Sequence, residues 1–380
     1  MTRWRWRGSV ALLAVAIGFV MYPVIESESD VISSDWPAFA TGARILLSDP
    51  GHLYDFELQR RVELEVTGGR TLTTIANGFL PFVGPAWTAF FAIPFDLLGP
   101  NVGGRMWMLI GLACLALGLY LAVRPHAPVI ILPAFASVPT ALMLVNAQFD
   151  GVVALGIGSA IWLWSRPYLA GLCLGLTLLK PQLALPLAAA LVVARRWRVL
   201  GGWATAGLAF WGAAALLDPL WVLKWLPAIN GPVGQGGISR PVGPSSREID
   251  LPHLGILFPD GSQALAIATL TIVSVAAVVL LARLRRNEFR PAAAILVAGG
   301  VLAAPHAHPT DLVLVALALV IWGEAEWYDW LVLSVGALIA AVAPVPIPAV
   351  VGVLTIGWIL LRAAGTIPSW QRAPAPLSTG

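Results

Sequence analysis

The chain has 380 residues, 58% hydrophobic and 11% charged, with a formal charge of +3 and a mean hydropathy of +0.82. Soluble domains carry about 25% charged residues, so the composition excludes a soluble globular protein and places the chain in a membrane. The small charge, with no basic tract interleaved with aromatics, excludes nucleic acid as a partner. The two cysteines, Cys114 and Cys173, fall inside apolar runs and read as small core residues rather than a disulfide or metal pair.

At the N-terminus Arg3, Trp4, Arg5, Trp6 and Arg7 precede an apolar run from Val10 to Ile25. The run ends in MYPVIESES with no small-residue cleavage site, so it reads as an uncleaved first span near 8–25 that starts in the cytoplasm. Further candidate spans, set against the roughly 20 apolar residues a bilayer requires and several of them short or broken by proline, follow at 81–99, 105–123, 127–145, 150–165, 168–193, 199–217, 262–282, 291–305, 310–323, 330–344 and 349–362. The expected fold is an all-α polytopic bundle of about 10–12 transmembrane helices, one membrane domain over residues 1–380. Arginines in short loops set its orientation. Arg3, Arg5 and Arg7, then Arg195, Arg196 and Arg198, then Arg283, Arg285, Arg286 and Arg290, then Arg362 and Arg372 all fall on one side. Both termini, including a short tail over 363–380, are therefore expected in the cytoplasm of a multi-pass protein of the cell membrane. Two long polar loops, 26–80 and 218–261, and a short turn, PHAHPTD at 305–311, fall outside. No internal repeat of the kind found in many transporters is visible.

The first outer loop is acidic and contains SSDWPAFATGARILLSDPGHLYD, residues 33–55. Trp36, Phe39, Ala43 and Leu46 recur at helical spacing, and Asp35 with Pro37 gives a helix-start signal. The spacing predicts a short helix over 36–47, lying flat at the outer interface with its aromatic face down. A second short helix is predicted after Asp55, through FELQRRVELEV. Asp35 has two compatible readings, a helix cap or a carboxylate facing a cavity between loop and spans. A helix N-terminus favours its charged form, which suits a general base. Lys180 sits inside an apolar span, where an ionised lysine costs ~2.5–3.5 kcal/mol. It reads as an internal pair with Asp150, near Gln148 and Asn146, or as a functional group. Trp36 reads as part of an aromatic belt.

Several segments resemble, in order, the bacterial glycosyltransferase family 87 proteins. These are SDWPAFATGARILLSDPGHLYD, NGFLPFVGPAWTAFFAIPFDLLG with Pro81 and Pro94, NAQFDGVVALGIGSAIWLW, PYLAGLCLGLTLLKPQLALPL and PHAHPTDLVLVALAL, together spanning most of residues 30–322. Ala147 stands where the family usually has glycine before the glutamine, and the second outer loop departs from the family pattern. The resemblance implies the GT-C fold and the chemistry of polyprenol-phosphate-mannose-dependent mannosyltransferases. A sugar passes with inversion from a polyprenyl-phosphate donor at the outer membrane face to a hydroxyl of a glycolipid or glycan acceptor. It implies Asp35 as the general base, with Asp30 in reserve. In that setting His306 and His308, near Asp311, are candidates for the phosphate or sugar, Arg240 and Arg247 for phosphate clamps, Lys180 for a contact to the donor phosphate as the alternative to its internal pair, Trp36 for a platform under the sugar ring as the alternative to belt anchoring, and Gln148 for a substrate contact. No cofactor is expected. A divalent cation on Asp30 and Asp35 has no further ligand pattern behind it, and the His-x-His spacing of the turn is not a typical zinc arrangement. The alternative function is a transporter or flippase of a lipid-linked sugar, which predicts midplane ion sites in both halves; a structural protein without chemistry is a third reading.

Overall fold

A computed structural model describes residues 31–70, 79–124, 131–230 and 248–367. The predicted first span, Asp30, Arg240, Arg247 and the C-terminal tail from residue 368 lie outside these residues. The described residues are mostly helical and contain no strand, consistent with an all-α membrane protein.

The first outer loop folds into two short helices, α1 (Trp36–Ser48) and α2 (Phe56–Val66), where the spacing predicts them. Their placement differs from expectation. Nine of the thirteen residues of α1 are buried, because its small residues admit neighbours on every side. A Cβ added to Gly42 would lie 2.8 Å from the Phe82 ring. The helix is thus enclosed by protein rather than laid on lipid. Asp55 caps α2 by accepting from the backbone N–H groups of Glu57 and Leu58. The buried Gln59 amide then donates to Leu53 O (2.7 Å) and Phe82 O (3.0 Å) and accepts from Phe82 N (2.8 Å). These bonds satisfy an extended stretch that no helix or sheet could serve.

The next helix, α3 (Ala86–Asp96), overturns the reading of 81–99 as a span. Before it, Tyr54 donates to Gly84 O (3.0 Å); at its end, Arg44 pairs with Asp96 (3.0 Å). Both ends are tied to the same loop unit, so the segment does not cross the bundle. The first long described crossing is α4 (Pro100–Val123), 24 residues. Residues 131–145 return as α5 (Leu132–Phe135) and α6 (Val138–Val145), and α7 (Asp150–Trp162) follows. Helices α4 and α7 run parallel with glycines in contact, Gly151 on Gly111 and Gly158 on Gly118. A Cβ at Gly158 would fall 2.0 Å from the Gly118 carbonyl, the close backbone approach typical of membrane helix pairs.

Residues 168–193 also do not form the single span expected from their apolar length. Helix α8 (Pro167–Leu174) continues as a 3₁₀ turn to Leu179, breaks at Lys180 (φ −130°, ψ 72°), and resumes through a 3₁₀ turn, Pro181–Ala184, into α9 (Leu185–Val193). Proline at 181 removes a backbone donor and drives Lys180 out of the helical region. The following helix, α10 (Trp197–Leu217), runs alongside α8: Gly171 touches Val199 O and Gly175 touches Ala206. Arg166 and Arg198 line one cavity. A straight helix would separate these arginines by the bundle's full depth, so 167–193 is a hairpin with Lys180 at its tip.

The chain continues through α11 (Trp221–Asn230), α12 (Gln263–Leu284), α13 (Phe289–Ala303), α14 (Leu312–Trp322), α15 (Trp327–Val342) and α16 (Ile347–Ala363). Among the described residues α4, α10 and α12 are long and apolar enough to cross a membrane, and the other bundle helices are shorter and apolar. All eleven residues of α14 are buried, which makes it the central helix, while α10 and α12 present most of their surface outward.

The bundle has two unlike ends. At one, Arg124 lies over Trp162 and Arg196 over Trp164, which packs on Phe289. There Arg362, nearly fully buried, binds Asp329 (3.2 Å) and lies over Trp322 and Tyr328. This fastens α14, α15 and α16 together. The opposite end carries Asp35, Asp150, Asp311 and Glu248 with His253, His306 and His308.

Candidate functional site

Asp35 precedes α1, but its side chain does not cap it. Ser34 Oγ takes that part, accepting from Trp36 N (3.2 Å) while donating to Val31 O (2.6 Å). The half-buried Asp35 carboxylate is left for tertiary contacts and accepts a hydrogen bond from Gln148 Nε2. Its backbone N–H donates to Asn146 O (3.3 Å). The turn that brings Gln148 there requires Ala147 at φ 51°, a conformation a glycine adopts at no steric cost. Trp107 pins it with an indole N–H to Ala147 O (2.6 Å).

Two residues after Gln148, Asp150 opens α7 and accepts from Lys180 Nζ (2.9 Å). The pair expected from the sequence is formed, and it is larger than expected, because Lys180 also binds Asp311 at the start of α14. The ammonium lies 5.4 Å from the centre of the Phe149 ring, which meets Phe39 of α1 edge-on. Residues 148–150 therefore join Asp35 to the hairpin tip. Lys180 is largely covered and is committed to two carboxylates.

The turn after α13 holds His306 and His308 in a T-shaped contact, ring centres 4.5 Å apart. His308 N donates to Asp311 Oδ2 (2.6 Å), which couples the turn to Lys180. A strap over residues 248–253 binds the other side of the turn. Ile249 N donates to Ala307 O (2.9 Å), and Asp250 accepts from Ala307 N (2.8 Å) and His253 N (2.7 Å). Buried Glu248 sits between two imidazoles, with His253 Nδ1 at 2.6 Å on one oxygen and His306 Nδ1 at 2.8 Å on the other.

The electrostatics sort these groups. Burial pushes the Asp35 carboxyl up to about 6, against the pull of Lys180 and the Gln148 hydrogen bond. For Glu248 burial also acts upward, but the bonds from His253 and His306 outweigh it and hold the carboxyl far below the usual range. His306 loses hydration, yet Glu248 raises its imidazole above the ordinary value; burial and the charge on His306 push His308 down to about 4. Burial beside Glu248 lifts Asp250 to about 7. The two imidazoles of the turn are thus driven apart, His306 toward its charged form and His308 toward its neutral form.

Of the sequence candidates, Asp35 and Gln148 meet directly, as do Lys180, Asp150 and Asp311, and His306 and His308 meet edge to face. Trp36 is fully buried, packed on Trp107, with its indole N–H given to Pro100 O (2.8 Å). It presents no face to a sugar and no anchor to an interface, which overturns both readings of it. Sequence reasoning missed Glu248, Asp250 and His253. The signal was present in EIDLPH, three ionisable groups within six residues, but polar residues are common in any loop. Among the described residues no cluster of three histidine, cysteine or carboxylate side chains has a metal-holding arrangement; the Nδ1 atoms of His253 and His306 are both spent on Glu248. The model of glycosyltransferase family 87 matches residues 82–309, which takes in Gln148, Lys180, the strap and both turn histidines, with Asp35 before it. No curated protein and no solved structure matches the chain.

Proposed function

The chain belongs to glycosyltransferase family 87, and on that footing we propose that it moves a hexose, mannose in the first instance, from a polyprenyl-phosphate donor to a hydroxyl of a glycolipid or glycan acceptor. The arginine-rich end of the bundle faces the cytoplasm with both termini, and the site faces the outside of the cell membrane. Asp35 is the general base. The observation that carries this reading is that Asp35, freed from capping by Ser34, gives its half-exposed carboxylate to Gln148 at the end of the bundle where the histidine turn lies.

The chemistry asks little of the protein. The acceptor oxygen must lose its proton as it attacks the anomeric carbon, and the departing phosphate must be stabilised as the carbon–oxygen bond breaks. A carboxyl poised near pH 6 is ionised at neutral pH yet basic enough to take the proton, a match worth about 10²–10⁴-fold. His306 supplies a positive donor for the phosphate oxygens, placed before the charge develops. Lys180, bound to Asp150 and Asp311, holds α7, the hairpin tip and α14 together beneath these groups.

The test is transfer from polyprenyl-phosphate mannose in proteoliposomes, comparing wild type with Asp35→Asn at matched folded protein. The expected result is transfer by wild type and a loss of about 10²–10⁴-fold in the variant; equal rates would remove Asp35 as the base. The hairpin with a charged tip favours the transporter alternative, since broken helices line many transport sites. Wild-type vesicles that scramble the lipid and transfer no hexose would establish that reading instead.

A further inference from the structure

We propose that Glu248 is the positioning residue of this site: held by His253 on one carboxylate oxygen, it grips His306 Nδ1 with the other and so presents His306 Nε2–H as a fixed cationic donor to the phosphate of the donor lipid. The inference rests on the transferase reading for the identity of the phosphate, and on geometry for the rest.

A lone histidine in a surface turn rotates freely and is partly neutral at pH 7. His306 is not alone. Its Nδ1 lies 2.8 Å from Glu248 Oε1, and its side chain remains 40% exposed, with no protein partner on Nε2 among the described residues. Glu248 itself is 4% exposed in its side chain and cannot swing away, because His253 Nδ1 holds Oε2 at 2.6 Å. The strap is registered to the turn by Ile249 N to Ala307 O, by Leu251 N to Leu302 O and by Ala307 N to Asp250 Oδ2. One ring nitrogen is thereby locked and the other left for a ligand, the arrangement by which a carboxylate fixes the orientation and charge of an imidazole.

Glu248, Asp250 and His253 of the strap, and His308 and Asp311 of its own turn, bear on the charge of His306. Asp311 is committed to Lys180 and His308 N, and Asp250 to two backbone donors. That leaves Glu248 as the carboxylate in direct contact. During transfer the anomeric carbon–oxygen bond breaks and its electron pair goes to the phosphate. The imidazolium offsets that charge through its N–H, without giving up the proton.

The chain contains five histidines, so imidazole signals of ¹³C,¹⁵N-histidine-labelled full-length protein in nanodiscs can be followed one by one, with His306→Gln assigning the resonance. Wild-type His306 should stay protonated above the ordinary histidine range. Glu248→Gln should lower its midpoint by about one pH unit or more, and Glu248→Asp should recover part of the shift. Titration with decaprenyl phosphate should move the His306 signal in wild type and far less in Glu248→Gln. The alkaline limb of kcat/KM should shift to lower pH in step with the NMR midpoint. An unchanged His306 midpoint in both variants, with the His52 signal native, would overturn the proposal, as would a wild-type signal indifferent to decaprenyl phosphate. A wild type that binds decaprenyl phosphate at His306 but transfers no hexose would leave the Glu248 assignment standing and remove the transferase reading.

Discussion

Two opposed influences set the charge on Asp35: burial raises its carboxyl to about 6, and Lys180 with the Gln148 amide pulls it down. The acid limb of kcat/KM should therefore lie near pH 6, and Gln148→Leu, which removes a hydrogen bond to the ionised form, should move that limb to higher pH. The stability sign follows from linkage. The folded value lies above the ordinary carboxylate value, so the native state binds the extra proton and loses stability as pH rises through 6. Asp35→Asn should then melt no lower than wild type at neutral pH, whereas loss of a structural cap would lower the melt. Ala147, beside Gln148, carries backbone strain at φ 51°. An L-residue in the left-handed region costs roughly 1–2 kcal/mol, and glycine costs roughly 0.5–1 kcal/mol in entropy. Ala147→Gly should accordingly raise stability by about 0.5–1 kcal/mol, seen as a higher melting temperature in detergent. Lys180 and Asp150 were legible in the sequence because an ammonium in apolar surroundings demands a partner. Glu248 and His253 were not, because nothing in a polar loop reveals which carboxylate will be buried against which imidazole.

At the scale of elements, α1 and α2 were legible because their starts carry local signals, Pro37 at one and the Asp55 cap at the other. What encloses α1 is tertiary and left no local mark. Glu63 of α2 shows the consequence of that enclosure. Its side chain is buried against the extended stretch, accepts from Leu80 N (3.1 Å), and is pushed by burial up to about 8. The carboxyl is thus protonated in the folded protein at neutral pH and ionised in the unfolded chain. Stability should fall between the unfolded and folded values by up to about 1.4 kcal/mol per pH unit. Glu63→Gln, which mimics the protonated form, should raise the melting temperature at pH 8 and leave it nearly unchanged at pH 4. An equal effect at both values would mean that Glu63 is ionised in the folded loop. The hairpin was the least legible element. Residues 168–193 have the length and apolar content of a span, and only the Lys-Pro step hints that the chain turns back.

On the scale of the whole molecule, the sequence reading placed a crossing at 81–99 where the structure has none, and a single crossing at 168–193 where the chain goes across and back. Each error inverts the side assigned to everything after it, and the second restores what the first reversed. The arginine clusters at 195–198, 283–290 and 362 therefore remained on a common side for a reason the span count did not contain. The structure places Arg166 on that side too, with Arg198 on the same cavity, whereas a single span over 168–193 puts Arg166 and Arg196 on opposite faces. Thiol labelling separates the two. In a background with Cys114 and Cys173 replaced by alanine, Arg166→Cys and Arg196→Cys should both react with a membrane-impermeant maleimide from the cytoplasmic side, and His52→Cys, in the exposed turn before α2, from the outside. Opposite labelling of positions 166 and 196 would refute the hairpin. Positions 52 and 196 labelled from one side would refute an outward-facing site, because the carboxylates and histidines would then share a compartment with the arginines.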